Sequence, residues 1–248
     1  MDTRILLCID DTDDLDSPGT GELAEEIGAH IRTRGWDVPA PITRHQLLIH
    51  PDIPYTSHNS SMCLAATIDG RHYQALIDWS GDFLAKRSAP GSDPGLCVLR
   101  PDKLDQPAAL ISFGRRAKAE VLEQRAAHEL AAALGIHLSE HGGTGQGVIG
   151  ALAGAALRLE GKDGRMRGTL RDFAAGTQVP VLALLQHPAV DEVRQVDGPA
   201  LSPDALVMIG EKPKSVMQDG RFVLLVQADT PTHPGIWRTC TRQELQAY

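Results

Sequence analysis

The feature that most constrains this chain is the way its first apolar run ends. Ile5 to Ile9 is continuously apolar and stops abruptly at Asp10-Asp11-Thr12-Asp13-Asp14. A short apolar run bounded by acids reads as a buried strand. The stretch from Asp10 to Thr20 is rich in Asp, Ser, Pro and Gly and reads as a loop. Leu23, Ile27 and Ile31 then recur at helical spacing, with Glu22, Glu25 and Glu26 on the other face and Gly35 as a stop. The chain therefore opens as strand, acidic loop, helix. In α/β sheets the carboxyl ends of strands open onto the ligand crevice, so Asp10 and Asp11 stand where chemistry is usually placed. Five of the seven residues from Asp10 to Asp16 are carboxylates, and they repel one another unless a cation or a basic partner neutralises them. Mg²⁺ prefers hard oxygens and commonly sits between one or two carboxylates and substrate phosphates. On the residues alone, the alternative is a solvated acidic turn in which Asp11 or Asp13 only forms the turn or caps the helix.

Downstream, Gln46 to Ile49, Met62 to Ile68 and Leu96 to Leu99 read as strands. Tyr73 to Lys86 reads as a helix with Leu76, Ile77, Phe83 and Leu84 inward, and a long helix is predicted over Arg115 to Leu134, stopping at Gly135. Strand-like runs follow at Val179 to Leu185, Ala205 to Ile209 and Phe222 to Val226. Alternating strands and helices imply an α/β or α+β layer structure, with a boundary expected near Phe113. The 248 residues suffice for one large domain or two small ones, and a 42% hydrophobic content suffices for a core. A net charge of −8 argues against broad coating of phosphate backbones. The start has only a short apolar run, and no stretch reaches the roughly 18 apolar residues of a membrane span, so a cytoplasmic protein is expected. The widely spaced Cys8, Cys63, Cys97 and Cys240 read as buried free thiols rather than disulfides or metal ligands.

Three other segments carry polar chemistry. Thr144-Gly145-Gln146-Gly147 runs into the apolar Val148 to Leu157, and such a turn either presents backbone N–H groups to an anion or simply permits close packing. His141 just before it titrates near neutrality or is structural. Tyr55 to Ser61 is dense in hydrogen-bonding side chains and reads equally as a substrate loop or an exposed one. Arg115, Arg116 and Lys118 form either a phosphate clamp or a solvated helix face.

Together these motifs resemble the tRNA-isoleucine agmatinylcytidine synthetase family. Ile9-Asp10-Asp11-Thr12-Asp13 matches that family's Ile-Asp-Asp-Thr-Asp at the end of its first strand. His50-Pro51-Asp52-Ile53-Pro54, leading to His58-Asn59 and Met62 to Thr67, is similar to its Asn-Pro-x-Ile-Pro segment, polar turn and strand. Asp93-Pro94-Gly95 resembles its Asn-Pro-Gly, and Gly147-Val148-Ile149-Gly150-Ala151-Leu152-Ala153 its Gly-Leu-Ile-Gly-Ala-Leu-Ala. The resemblance implies a kinase-like α/β domain over residues 1–113 that uses ATP and Mg²⁺, followed by a ferredoxin-like domain over 114–248 that helps bind an amine. It implies that Asp10, Asp11 and Asp13 hold Mg-ATP as metal ligands and catalytic groups, with Thr12, Asn59, Gly95, Thr144, Gly145 and Gly147 around the nucleotide. The chain departs from the family at its Gly-x-Cys-Thr-Thr, where Gly19-Thr20-Gly21-Glu22-Leu23 leaves Thr20 as the only hydroxyl, out of register. Neither the family's OB-fold nor its cysteine-rich zinc ribbon has a counterpart here, so RNA is expected only through a partner protein.

The expected function is ATP- and Mg²⁺-dependent phosphoryl or adenylyl transfer that activates an oxygen for attack by an amine or another nucleophile. Its partners would be a small-molecule acceptor or amine, no membrane, and a second copy in a homodimer. Two alternatives stand beside it: a noncatalytic nucleotide- or metabolite-binding protein, and a phosphatase of the haloacid dehalogenase type with Asp11 as nucleophile.

Overall fold

A computed structural model of the chain describes residues 1–53, 59–228, 236–246 and 248. It is a mixed α/β protein that divides into two compact units, Met1–Glu160 and Gly161–Tyr248.

The first unit is built on β1 (Asp2–Asp10), α1 (Thr20–Thr33), β2 (Thr43–Gln46), β3 (Ser60–Asp69), α2 (Tyr73–Arg87), β4 (Gly95–Leu99), α3 (Pro107–Arg116), α4 (Gln124–Ala133), β5 (His137–Glu140) and α5 (Gly147–Glu160). Its strands lie in the order β5-β4-β1-β3-β2, each antiparallel to its neighbour. Successive side chains of a strand point to opposite faces, so an unbroken apolar run must be covered on both. That is what β1 meets. Ile5, Leu7 and Ile9 pack with Leu23, Ile27 and Ile31 of α1 and Leu76, Ile77 and Leu84 of α2. Leu6 and Cys8 face the other way, against Leu110 and Phe113 of α3, Ala127 and Ala131 of α4, and Val148, Leu152 and Ala155 of α5. Each such Ile or Leu contributes roughly 1.5–3 kcal/mol by leaving water.

Because α5 lies between the sheet and two other helices, nearly every residue from Gly147 to Arg158 is buried. Small residues make that burial possible. A Cβ on Gly154 would press on the Ser61 and Cys8 side chains, and one on Gly114 of α3 would come within 2.8 Å of the Ala156 Cβ.

The second unit comprises β6 (Arg165–Met166), β7 (Gln178–Pro180), α6 (Val181–Leu184), β8 (Glu192–Gln195), β9 (Leu206–Met208), β10 (Ser215–Gln218), β11 (Arg221–Ala228) and β12 (Trp237–Thr239). Its order is β6-β10-β11-β12-β9-β7, with β8 parallel to β11. Val216, Val223, Leu225, Cys240 and Leu245 form a core there. Among the described residues no helix is long and apolar enough to cross a membrane. All four cysteines are free and buried, as their apolar neighbourhoods indicate.

Several expectations shift. The compact units divide at Glu160 rather than near Phe113, because α3 and α5, on either side of the expected break, close the same core. The helix predicted over Arg115 to Leu134 is two helices. Between them the chain turns so that the Ala117 carbonyl accepts the Leu48 N–H at 3.1 Å. The first of the two starts at Pro107, whose fixed φ suits the first helical position. Strand β2 ends at Gln46, so Leu47 to Ile49 lie beyond it. In the Val179 to Leu185 run, only the first residues are strand. After Pro180 the chain coils into α6, which buries Val181 and Leu184 one turn apart.

Candidate functional site

An open cleft lies at the carboxyl end of β1. It is lined by Asp10, Asp11 and Asp13, by Thr20 at the start of α1, and by Gln146, Gly147, Ile149 and Gly150 at the start of α5. Asp52, Ile53, Asn59, Ser60, Leu47, Ala117, Glu120, Val121 and Leu122 complete the wall. The lining thus mixes carboxylates with apolar side chains. Among the described lining residues there are five carboxylates and no Lys, Arg or His.

The acidic loop is sorted by its geometry. Asp10, the last residue of β1, is 8% exposed and lies against Gly150, where a Cβ would run into its carboxylate. Asp11 takes a left-handed conformation (φ 52°), which is uncommon outside glycine and turns the chain sharply off the strand. The Thr20 hydroxyl donates to Asp13 Oδ1 at 2.6 Å, and the fully buried Thr12 donates to the Thr20 hydroxyl at 3.1 Å. Asp14 turns outward and accepts the Asp16 N–H at 3.0 Å, so it serves its own turn.

Burial and crowding set the electrostatics. Burial holds the Asp10 carboxyl well above the usual carboxylate range, reinforced by the charges of Asp11 and Asp13. Asp11 is pushed up to about 6, first by burial, then by Asp93 and Asp13, with a backbone hydrogen bond from Asp93 partly opposing. Both shifts mean that ionised carboxylates are uncomfortable here without a cation. One or two carboxylates beside open space suit a hard divalent ion that completes its shell from water and phosphate. Among the described residues, no group of three or more His, Cys, Asp or Glu is already arranged around a metal position.

The expected nucleotide residues fall into three positions. Asn59 and Gly147 line the cleft with the three aspartates. The Asn59 Nδ2 donates to the Leu48 carbonyl at 2.7 Å, so its amide fixes the segment after β2 that supplies Leu47 to the wall. Gly95 and Thr12 lie behind the wall. Gly95 is a close-approach position, since a Cβ there would enter the Gly147 backbone. Thr144 and Gly145 stand at the outer end of the glycine turn. Thr144 bonds Asp93 through both its N–H and its hydroxyl, the latter at 2.7 Å. The Gly147 N–H donates to the Asp93 carbonyl at 3.1 Å. The glycine turn therefore directs this N–H into the protein, and close packing accounts for Gly95, Gly147 and Gly150.

Two readings of the basic and histidine residues resolve. Arg115 pairs with Glu160 and Arg116 with Glu120, so both guanidiniums are committed to neighbouring carboxylates rather than forming a phosphate clamp. His141 sits against Gly81 of α2 and bonds the Ser139 hydroxyl at 2.8 Å, with burial lowering its pKa. Tyr55, Thr56, Ser57 and His58 of the polar loop, with Pro54 before them, lie outside the described residues.

Sequence reasoning missed Thr20 as a site residue because register was counted along the chain. Its position as the first residue of a helix directly after an acidic loop was the available signal. Asp52 and Ile53 fall in the His50 to Pro54 motif, whereas Glu120, Leu47, Val121 and Leu122 carry no local signal. They are brought to the cleft by the turns after β2 and α3.

No family model and no curated protein matches the chain. Solved structures do. A complex of TiaS with an isoleucine tRNA, AMPCPP and agmatine superposes with a TM-score of 0.53 at 22% identity, covering 62% of this chain and 36% of that one. A complex of TiaS with the same tRNA and ATP gives 0.52 at 22% identity over the same shares. Apo TiaS, an agmatidine synthetase acting on that tRNA, gives 0.50 at 21%, over 62% of this chain and 35% of that one. The chain thus spans little more than a third of the length of these neighbours, and over 62% of its own length it has a TiaS-like fold.

Proposed function

We propose that the cleft at the end of β1 is an ATP- and Mg²⁺-dependent site for phosphoryl or adenylyl transfer, activating an oxygen for attack by an amine or another nucleophile. The observation that carries this reading is the composition of the cleft: five carboxylates, two with raised pKa, and no basic side chain among the described lining residues. A polyanion enters such a cleft only with a cation between it and the protein. Asp10 and Asp11 would hold Mg²⁺, with Asp13 and Thr20 supporting them. An ion held by these residues would supply positive charge to the phosphate groups and to the transfer they undergo. The chain's own contribution is placement. Helix α1 begins at the cleft, and the positive end of its dipole would favour phosphate there. The apolar lining residues Leu47, Ile53, Val121 and Leu122 would offer contact area for a base or for the stem of an acceptor.

The solved neighbours hold ATP, AMPCPP, agmatine and an isoleucine tRNA, which supports a nucleotide and an amine or small-molecule acceptor for this chain too. RNA would be presented by a partner protein.

Nucleotide hydrolysis measured across a panel of amines tests the proposal. Wild type turns over and Asp11→Asn does not; full activity in Asp11→Asn would sink the assignment. Saturable binding without turnover would favour the noncatalytic alternative, and a phosphoaspartate trapped on Asp11 would favour the phosphatase.

A further inference from the structure

The loop that carries Thr144 is held by side chains of two other segments, the turn before β4 and helix α4. Asp93 lies in the turn before β4. One of its carboxylate oxygens accepts the Thr144 N–H and the other the Thr144 hydroxyl, at 2.7 Å. Gly143, at φ 55°, comes so close that a Cβ would enter the same carboxylate. On the opposite side Gln124 of α4 donates to the Gly145 carbonyl at 3.2 Å and to Glu140 at 2.7 Å. Gly145 itself is left-handed at φ 80°, which glycine adopts at little cost. The Asp93 carbonyl takes the Gly147 N–H. One residue therefore grips the turn at two points, and the next two residues after Gly145, Gln146 and Gly147, are cleft wall. Asp93 is not itself a lining residue; its carboxylate bonds the turn, while its charge and its backbone N–H both act on Asp11.

We propose that Asp93 is a positioning residue: by clamping Thr144 it fixes the Gly145–Gly147 wall against which the ligand of the cleft is held. Thr144 then acts through the clamp and not by touching ligand. This rests on the nucleotide reading above, and the two fail in different ways. An asparagine at position 93 retains an oxygen for the Thr144 N–H and an amide that donates to the Thr144 hydroxyl, whereas alanine retains neither. If geometry is what Asp93 supplies, asparagine substitutes for it; if its charge holds a metal, asparagine does not.

The experiment is calorimetric titration of the full chain with Mg-ATP in wild type, Asp93→Ala, Thr144→Val, the double variant and Asp93→Asn, with a melting curve for each. Asp93→Ala and Thr144→Val are each expected to weaken binding about tenfold, the scale of one lost charge-assisted hydrogen bond. The double variant should be no weaker than Asp93→Ala, because alanine already removes both bonds of the clamp while valine at 144 removes only the hydroxyl bond. Asp93→Asn should bind within about twofold of wild type, since the clamp it keeps is the larger part. Wild-type affinity in both single variants would overturn the clamp while leaving the nucleotide site standing. Loss in Asp93→Asn equal to that in Asp93→Ala would overturn it in favour of a charge role. Should Asp93→Ala fail to fold, Thr144→Val and Asp93→Asn still decide. Absence of binding in wild type would remove the nucleotide reading and the clamp with it.

Discussion

The cleft of the first unit and the ion pairs of the second use acidic residues in opposite ways. Met1–Glu160 contains 14 Lys and Arg against 22 Asp and Glu, and so carries the whole net charge of −8; Gly161–Tyr248 is balanced at ten of each. In the second unit carboxylates sit beside guanidiniums. Glu192 accepts from Arg194 and from Arg221, and Glu244 takes Arg238 in a two-pronged pair at 2.6 and 2.8 Å. These partners hold Glu244 down at about 2 and lower Glu192 as well. In the cleft of the first unit the shifts run the other way, with Asp11 at about 6 and Asp10 higher than usual. An acid whose pKa is lowered by a resident partner is finished as a piece of structure. An acid whose pKa is raised by burial and like charges is waiting for a partner that the described lining residues do not supply.

Glycine substitutions probe the same contrast and give the largest expected effect. Gly95→Ala forces a Cβ into the Gly147 backbone, which cannot give way without moving α5 off the sheet, and should cost about 3 kcal/mol in denaturant unfolding. Gly168→Ala in the second unit meets nothing within 4 Å and carries only the strain of φ +85°, about 1 kcal/mol. Equal costs would mean that the close approach of α5 to β4 is not a constraint.

Much of this was legible in the sequence, and the limits are physical. Strands β1 and β4 and helices α1, α2 and α5 showed themselves because their apolar spacing reflects burial that the local chain already imposes. The break between α3 and α4 did not, because Ala117 to Glu123 has good helix formers throughout and is turned by tertiary pairing with Leu48. Strand β5 is polar at His137, Ser139 and Glu140, and is a strand only because it edges β4. At the site, the Asp10-Asp11-Thr12-Asp13 signal was readable, since clustered charge has few structural uses. The clamp by Asp93 was not, since a carboxylate in an Asp-Pro-Gly turn looks like any other turn former.

Two isosteric changes sharpen the comparison of acids at a smaller scale. Removing the charge with Asp11→Asn, which tolerates the left-handed backbone, should stabilise the unliganded protein at pH 7 by about 1–2 kcal/mol after discounting for solvent screening. The sign follows from the raised pKa. Between pH about 4 and about 6 the folded state keeps a proton that the unfolded state has lost, so stability falls as pH rises through that window and stays lower above it. Asp11→Asn should flatten that slope. Glu244→Gln should do the reverse, costing about 0.5–1 kcal/mol at pH 7, because a lowered pKa gives stability above about 4.5 that is lost as pH falls toward about 2. Melting curves from pH 3 to 8 read both; the same sign for the two variants would break the contrast.

The central claim is that the first unit's acids are completed by a metal-bound nucleotide. Calorimetric titration of the purified protein with ATP, with and without Mg²⁺, alongside Asp10→Asn and Asp11→Asn, tests it most directly. The account predicts binding that requires Mg²⁺ and is lost in both variants. Binding that ignores Mg²⁺, or that survives both substitutions, would contradict it.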